Sequence, residues 1–266
     1  MLDLFHIPTP QKVNFQEFYG GDDTSTANTR TWVKPRGSSM VRFLLIGSGG
    51  SGGSGSSTAG AGGGGSGAVT SWIGPAMFVP DVLNVKVGRT GGSVTAIYYY
   101  SLNGLKTLLS ANGGSTGATS AGGNGGTAMT SNQFGASGIF TSIAGQIGAA
   151  GSATGTGQNV AASATTFLSG GAGGAGGAAS VGGRVTPNYG YPLASNTPAG
   201  GSVKGEDGFF ITQPILVGRG GSGGTTFTTF GSGGGIGGIG CGGGGSGEDG
   251  NSGGRGGDGA VFIWAW

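Results

Sequence analysis

The hydrophobic positions of this chain are concentrated in four short segments that have the pattern of β-strands. Residues 40–46 (MVRFLLI) form an apolar, β-branched run that predicts a mostly buried strand. Residues 32–37 (WVKPRG) predict a short strand followed by a turn. Residues 82–87 (VLNVKV) alternate between apolar and polar positions, and residues 261–266 close the chain with a second strongly apolar run. We expect these strands to form a small β core.

The C-terminal run carries apolar residues on both faces. Phe262, Trp264 and Trp266 share one side of an extended chain, and Val261 and Ile263 share the other. Together with the other strands, this run predicts a small β core that joins the two ends of the chain.

Between these strands, glycine tracts carry a side chain at every third position. The tracts are 47–55, 170–177, 234–240 and 244–258. The side chains at this spacing are Ser48, Ser51, Ser54, Ala172, Ala175, Ile236, Ile239, Ser246, Asp249, Ser252, Arg255 and Asp258. A period of three matches the threefold polyproline-II geometry rather than an α-helix or a strand.

Flexible linkers are the simplest interpretation of such tracts. However, the tracts are interleaved with segments rich in Ile, Phe, Tyr and Pro, which a linker does not need. Threefold helices have no internal hydrogen bonds, so packed copies can pair their backbone groups with one another where glycine allows close approach. We therefore expect a mostly β and irregular fold: a small β core joining the N- and C-terminal strands, with a bundle of short polyglycine-II helices and interleaved loops.

Composition narrows the class of protein. Glycine accounts for 70 of 266 residues, charged residues for 8%, and the formal net charge is +2. An ordinary compact enzyme has more branched apolar volume, collagen needs more proline, and charge-driven disorder needs more charge. The N-terminal sequence lacks the basic region of a signal peptide, and no apolar run is long enough to insert in a membrane. Nothing indicates nucleic-acid binding.

The sequence contains few residues from which an active site could be built. His6 is the single histidine and Cys241 the single cysteine, so one chain cannot build a Ser-His-Asp triad, a multi-histidine metal site or a disulfide. We expect no enzymatic activity, no cofactor and no metal centre. Two nonapeptides, 244–252 and 253–261, approach a calcium-binding β-roll repeat with Asp249 and Asp258 at the acidic position. Exposed third-position side chains are the preferred explanation, and calcium binding stays open.

The order of motifs resembles a known group of proteins. WVKPRG at 32–37 precedes the apolar run that enters GSGGSGGSG at 47–55, DVLNVKVGRTGG follows at 81–92, and GGDGAVFIWAW closes the chain at 256–266. This order resembles the glycine-rich structural proteins of bacteriophage virions, of the tail-fibre and tail-tip type. The resemblance implies a non-enzymatic protein on the virion exterior that contributes to host attachment, as in phage adhesins with polyglycine-II domains.

The motifs of the resemblance lie within residues 31–266, a glycine-rich domain, and we expect residues 1–30, which lie outside it, to be a virion-attachment segment. The segment concentrates apolar side chains that could bind other virion proteins: Leu2, Leu4, Phe5, Ile7, Phe15 and Phe18. Two loops, 98–109 and 184–198, have the best composition for a bacterial surface receptor. Their candidate residues are Tyr98, Tyr99, Tyr100, Lys106, Arg184, Asn188, Tyr189 and Tyr191.

Two alternatives stay open at this point. A head fibre or capsid decoration protein would use the N-terminal arm to bind the shell, and a glycine-rich matrix or cell-wall protein of a host belongs to a different class. We expect several copies or a homo-oligomer in the particle.

Overall fold

The apolar runs of the sequence form β-strands, and these strands make up the sheets of the fold. A computed structural model describes residues 13–20, 29–177, 179–186, 203–211, 216–227, 230–249 and 252–266. The strands are β1 (Asn14–Tyr19), β2 (Thr29–Val33), β3 (Met40–Ile46), β4 (Val69–Pro75), β5 (Val82–Lys86), β6 (Thr95–Ser101), β7 (Gly104–Ala111), β8 (Ile139–Ile143), β9 (Phe210–Ile211), β10 (Val217–Gly218), β11 (Thr226–Phe227), β12 (Phe230–Gly231) and β13 (Ala260–Ala265). The four strands expected from the sequence are confirmed as β2, β3, β5 and β13.

The strands described here pair antiparallel, and most of them belong to two main sheets. One sheet has five strands in the order β1-β13-β3-β4-β8, and the other has four in the order β2-β5-β6-β7. The C-terminal strand β13 lies between β1 and β3, so it joins the two ends of the chain as expected. Two further pairs, β9 with β10 and β11 with β12, lie outside these sheets.

The main core lies between the two sheets. Phe43 of the five-stranded sheet stacks on Trp72, with ring centroids 5.9 Å apart, and meets Trp32 of the four-stranded sheet edge to face at 5.9 Å. Val261 and Ile263 of β13 belong to the same buried cluster. Phe262, on the opposite face of β13, packs into a second buried cluster. The strand is thus buried on both faces, and the five-stranded sheet is covered on both sides.

The long glycine tracts leave the sandwich at one end. Ile46, the last residue of β3, pairs with Val69 at the start of β4 and with Ala260 at the start of β13. Val69 in turn pairs with Ile143 at the end of β8. The chain therefore enters or leaves a glycine tract at each of these strand ends, and the tracts continue the molecule in one direction from the sandwich.

The expected fold class was wrong in its main component. The chain is all-β, with several antiparallel sheets and no bundle of polyglycine-II helices; a single 3-10 turn, Ala76–Phe78, is the helical structure among the described residues. The physical reason is that each tract is a connection between strands and pairs its backbone groups with several neighbouring connections, so the tracts follow the antiparallel sheets instead of forming a separate helix bundle. We call residues 47–68, 112–126, 145–158, 169–176, 219–225, 232–248 and 252–259 the glycine array.

Residues 61–68 show how the glycine array is held together. Their N–H groups donate to three neighbouring segments in turn, with N···O distances of 2.7–3.0 Å. In the first segment, the carbonyls of Ala118, Ser115 and Asn112 accept from Gly62, Gly65 and Ala68. In the second, those of Ala149 and Gln146 accept from Gly63 and Ser66, and in the third, those of Gly243 and Gly240 accept from Gly64 and Gly67. Their carbonyls accept from three other segments, through Gly171 and Gly174, Gly123 and Gly126, and Gly50 and Gly53. This buried segment is thus surrounded by six others, and backbone pairing satisfies groups that water cannot reach.

The close spacing explains the glycine content. A Cβ atom built on Gly174 would overlap the carbonyl oxygen of Ser246, and one on Gly63 would overlap that of Gly171. Side chains are accommodated at other positions: Ala172 and Ala175 are fully buried. Glycine is therefore required here by the approach of two backbones.

Candidate functional site

The far end of the glycine array gathers loops from four separate parts of the chain. Ser180 N–H donates to the carbonyl of Thr226 at 3.1 Å, and Asp249 N–H donates to the carbonyl of Ser56 at 2.7 Å. The Thr226 hydroxyl accepts the N–H of Glu248 at 2.9 Å. These bonds tie together the residues where the tracts turn back toward the sandwich. We call residues 54–59, 179–181, 226–227, 230–231 and 247–249 the far loops.

Two phenylalanines of the far loops are exposed. Phe227 of β11 pairs with Phe230 of β12, and their side chains are 51% and 69% exposed. The hairpin is held by Thr226, whose hydroxyl donates to the carbonyl of Ala175 at 2.9 Å. The hydrogen-bonded strand pair thus presents two aromatic rings to solvent, and aromatic rings provide large contact area in binding sites.

Two acidic residues, Glu248 and Asp249, lie in a neighbouring far loop that is hydrogen-bonded to Thr226. A carboxylate oxygen of Glu248 accepts the N–H of Gly177 at 2.5 Å, which holds the side chain across the loops. Asp249 is exposed and adopts a φ of 67°, a turn conformation that Asp tolerates better than most residues. Apolar rings beside carboxylates and hydroxyls can contact a partner that has both apolar and polar groups. In the sequence, Phe227 and Phe230 belong to the aromatic segments between glycine tracts, which fit either the core or a contact surface, but they were not among the candidate receptor-binding residues.

The structure separates the residues that the sequence placed in two receptor-binding loops. Tyr98, Tyr99 and Tyr100 lie on β6, and Lys106 lies opposite Tyr99 on β7, at the end of the sandwich away from the glycine array. Arg184 lies beside the glycine array, where its N–H donates to the Asn159 side-chain oxygen at 2.7 Å. The two groups therefore do not form one site.

The three consecutive tyrosines differ in environment. Tyr99 packs against the main core, whereas Tyr100 is 76% exposed, because successive residues of a strand point to opposite faces. Burial raises the pKa of Tyr98. Asn188, Tyr189 and Tyr191 lie outside the described residues.

The N-terminal candidates also differ from one another. Phe18 is 7% exposed and belongs to the main core, so it is not available to a partner. Phe15 is 47% exposed and stacks on Trp264, with ring centroids 5.1 Å apart. Leu2, Leu4, Phe5 and Ile7 lie outside the described residues.

The glycine array has a cleft beside β1, but its charged groups are already engaged. The cleft encloses about 360 Å³ and is lined by Tyr19, Ile236, Arg255 and Asp258 among others. Asp258 accepts from the Arg255 guanidinium at 3.1 Å and from the N–H of Thr90 at 3.0 Å. Across the described ranges, no group of three or more His, Cys, Asp or Glu side chains is placed to hold a metal ion.

Cys241 is a packing residue in this structure. It is fully buried in the cluster that covers the outer face of the five-stranded sheet, and burial raises the pKa of its thiol to about 12. The part of the chain that the structure describes contains no helix long and apolar enough to cross a membrane.

Comparison with known proteins identifies a family. A family model described as a glycine-rich domain matches residues 24–266. The match includes both main sheets except β1, and it includes the whole glycine array. None of the curated proteins matches the chain.

Proposed function

The chain belongs to the glycine-rich domain family, and from this premise we propose that it is a non-enzymatic structural protein on the exterior of a bacteriophage virion. In this proposal it is a tail-fibre or tail-tip component that contributes to attachment to the host surface. The resemblance in motif order supports the phage assignment. The observation that carries the attachment role is the two-ended architecture.

The two ends offer different surfaces. The chain begins its described part at β1, whose first residue Asn14 pairs with Ala265 at the end of the sandwich that faces away from the glycine array. The far loops, with Phe227 and Phe230, lie at the opposite end. A protein with this layout can be held by its sandwich and present its far loops outward. Loops on a rigid scaffold are a common place for recognition.

The far loops are the receptor-binding surface in this proposal. Along the glycine array, most side chains are hydrogen atoms or methyl groups, which offer little specificity. Exposed aromatic rings provide large contact area and dominate many binding interfaces. Tyr189 and Tyr191 stay candidates for the same role.

The experiment has two stages. Mass spectrometry of purified particles tests whether the chain is a virion protein, and its absence from particles would favour a matrix or cell-wall protein. Gold-labelled antibody in electron microscopy then separates the tail from the capsid. Label on the capsid would contradict the tail assignment and favour a head fibre or decoration protein.

A matched pair of variants tests the far loops. Phe230→Ser should lower host adsorption without changing the melting temperature, because the ring is 69% exposed. Ile147→Ser, at a position that is 61% exposed on the side of the glycine array, should leave adsorption unchanged. Full adsorption by the Phe230 variant would remove the far loops from the proposal.

A further inference from the structure

A groove on the side of the glycine array is lined by three segments of the chain. It encloses about 420 Å³ between residues 120–122, 146–150 and 158–161, which we call the side groove. Gly148 N–H donates to the carbonyl of Gly123 at 2.9 Å, and the carbonyl of Ala150 accepts from the N–H of Gln158 at 3.2 Å. Residues 146–150 therefore lie between the other two segments and form the floor of the groove.

The N–H groups of the floor and its flanking residues point in three directions that repeat every third residue. Two of these directions lead to other segments of the array, with N···O distances of 2.8–3.1 Å: Gly145 and Gly148 donate toward residues 123–126, and Ala149 and Ser152 toward residues 171–174. The third set consists of Ile147 and Ala150. Within the described part of the chain, neither of these two N–H groups has a hydrogen-bond partner. They face the remaining side of the segment, where the side groove lies.

Residues 61–68 show what occupies such a position when it is filled. Each of the three sets of N–H groups in that segment donates to another segment of the array. The floor of the side groove presents the same arrangement, two donors three residues apart, but no described segment lies across from them. Unpaired backbone donors in a row are a template for an added extended chain, which gains affinity from main-chain hydrogen bonds.

The side groove also contains an unused acceptor. The Gln146 Nε2 donates to the carbonyl of Ala161 at 2.8 Å. The Oε1 of the same amide is buried and has no hydrogen-bond partner among the residues that the structure describes. A buried polar atom without a partner costs free energy, and a bound chain that donates an N–H to it would recover that cost.

The lining of the side groove indicates the chemistry of its occupant. None of the lining residues is charged, so nothing there would compensate a charged ligand. Where two array segments meet, there is no room for a Cβ atom, as Gly148 shows against the carbonyl of Gly63. An occupant that pairs as closely with the floor therefore needs glycine at its contact positions. An uncharged repeat of two glycines and one small polar residue meets both requirements.

We propose that the side groove binds an extended, uncharged, glycine-rich segment of another protein, whose carbonyls accept the N–H groups of Ile147 and Ala150. The described glycine tracts of a second copy are paired within its own array, so the segment belongs to a different protein. This inference concerns a property of the chain itself and does not depend on the virion assignment.

An NMR titration of the isotope-labelled full chain with the peptide acetyl-GGSGGSGGS-amide tests the proposal. We expect saturable shift changes at the amides of Ile147 and Ala150. Ala150→Pro removes one donor and puts ring atoms in its place, so it should weaken the affinity about tenfold or more. Ala150→Ser is the matched control, because it changes the same side chain, keeps the N–H and should bind like the wild type.

Proline is compatible with the floor because Ala150 has a negative φ. Should the melting temperature show that Ala150→Pro disturbs folding, Ile147→Pro removes the other donor and should weaken the affinity in the same way.

Four results would overturn the proposal. The first is a peptide that produces no saturable shift changes at Ile147 and Ala150. The second is equal affinity for the proline and serine variants. In the third, maltohexaose, a neutral oligosaccharide, shifts these amides while the peptide does not, which would make the groove a saccharide site. In the fourth, sedimentation shows an oligomer of the wild-type chain that Ala150→Pro dissociates, which would make a second copy the occupant.

Discussion

The space between many glycines of the array and the neighbouring backbone is too small to hold a methyl group. Gly174→Ala should therefore destabilise the fold by about 1–3 kcal/mol, because its new Cβ would overlap the carbonyl of Ser246. Gly155→Ala is the control, since its Cβ would approach nothing closer than the Ser152 hydroxyl at 3.9 Å. Thermal denaturation of both variants measures the difference. Equal melting temperatures would contradict the packing argument.

The thiol of Cys241 should be inert in the folded protein. Only a thiolate reacts with Ellman's reagent, and burial raises the pKa of this thiol to about 12. At pH 8 we expect no labelling until denaturant is added, followed by labelling of one thiol per chain. Rapid labelling of the native protein would show that the cluster around Cys241 opens.

Residue-level reasoning from sequence could identify the faces of strands but not the environment of the array side chains. The alternation in residues 261–266 correctly separated Val261 and Ile263 from Phe262. By contrast, the period-three side chains occupy equivalent positions of the repeat, yet Ser246 is fully buried and the Arg255 side chain is 49% exposed. Their environment depends on which other tracts surround each segment, and that information is not local.

Among the elements, β1 has two phenylalanines with different roles. Phe18→Ala should cost about 3–5 kcal/mol because it empties a buried site in the main core. Phe15→Ala should cost about 1 kcal/mol, the typical energy of an aromatic pair, because the ring is half-exposed. Urea denaturation of both variants gives the two free energies. A larger loss for the Phe15 variant would contradict the placement of β1.

The same element determines how the N-terminal attachment prediction should be tested. Deleting residues 1–19 would remove β1 and uncover the edge of β13. Deleting residues 1–12 leaves β1 intact, so it should preserve the melting temperature while reducing incorporation into particles. Normal incorporation of this truncated chain would refute an attachment role for residues 1–12.

Strand β1 also shows why some elements escaped sequence analysis. Residues 14–19 mix Phe15 and Tyr19 with Glu17 on one face, so the pattern predicts neither a buried strand nor an amphipathic one. Strands β3 and β13 were predictable because their apolar runs are continuous. The far hairpin of β11 and β12 contains two residues per strand, too few for periodicity to be informative.

At the scale of the whole molecule, amide hydrogen exchange should show that the glycine array is a stable, ordered structure. Residues 61–68 are buried and hydrogen-bonded on all sides, so their amides should exchange slowest among the glycine tracts. Residues 153–156, in bends at the surface, provide the contrast within the same molecule. Mass spectrometry of peptic peptides can compare the two. Equal and rapid exchange would show that the array is not a stable structure in solution.

The enclosure of residues 61–68 also has a consequence for biosynthesis. Their hydrogen-bonding partners lie as far along the chain as Ser246, so this early segment cannot reach its final surroundings while the ribosome is still adding the later tracts. Folds dominated by such distant pairings form slowly, and their unpaired segments are exposed to aggregation in the meantime. The glycine tracts contain few apolar side chains that could form non-native contacts before the later tracts have been synthesised. The low hydrophobicity that makes the array depend on backbone pairing would therefore also protect the nascent chain until its last partners emerge.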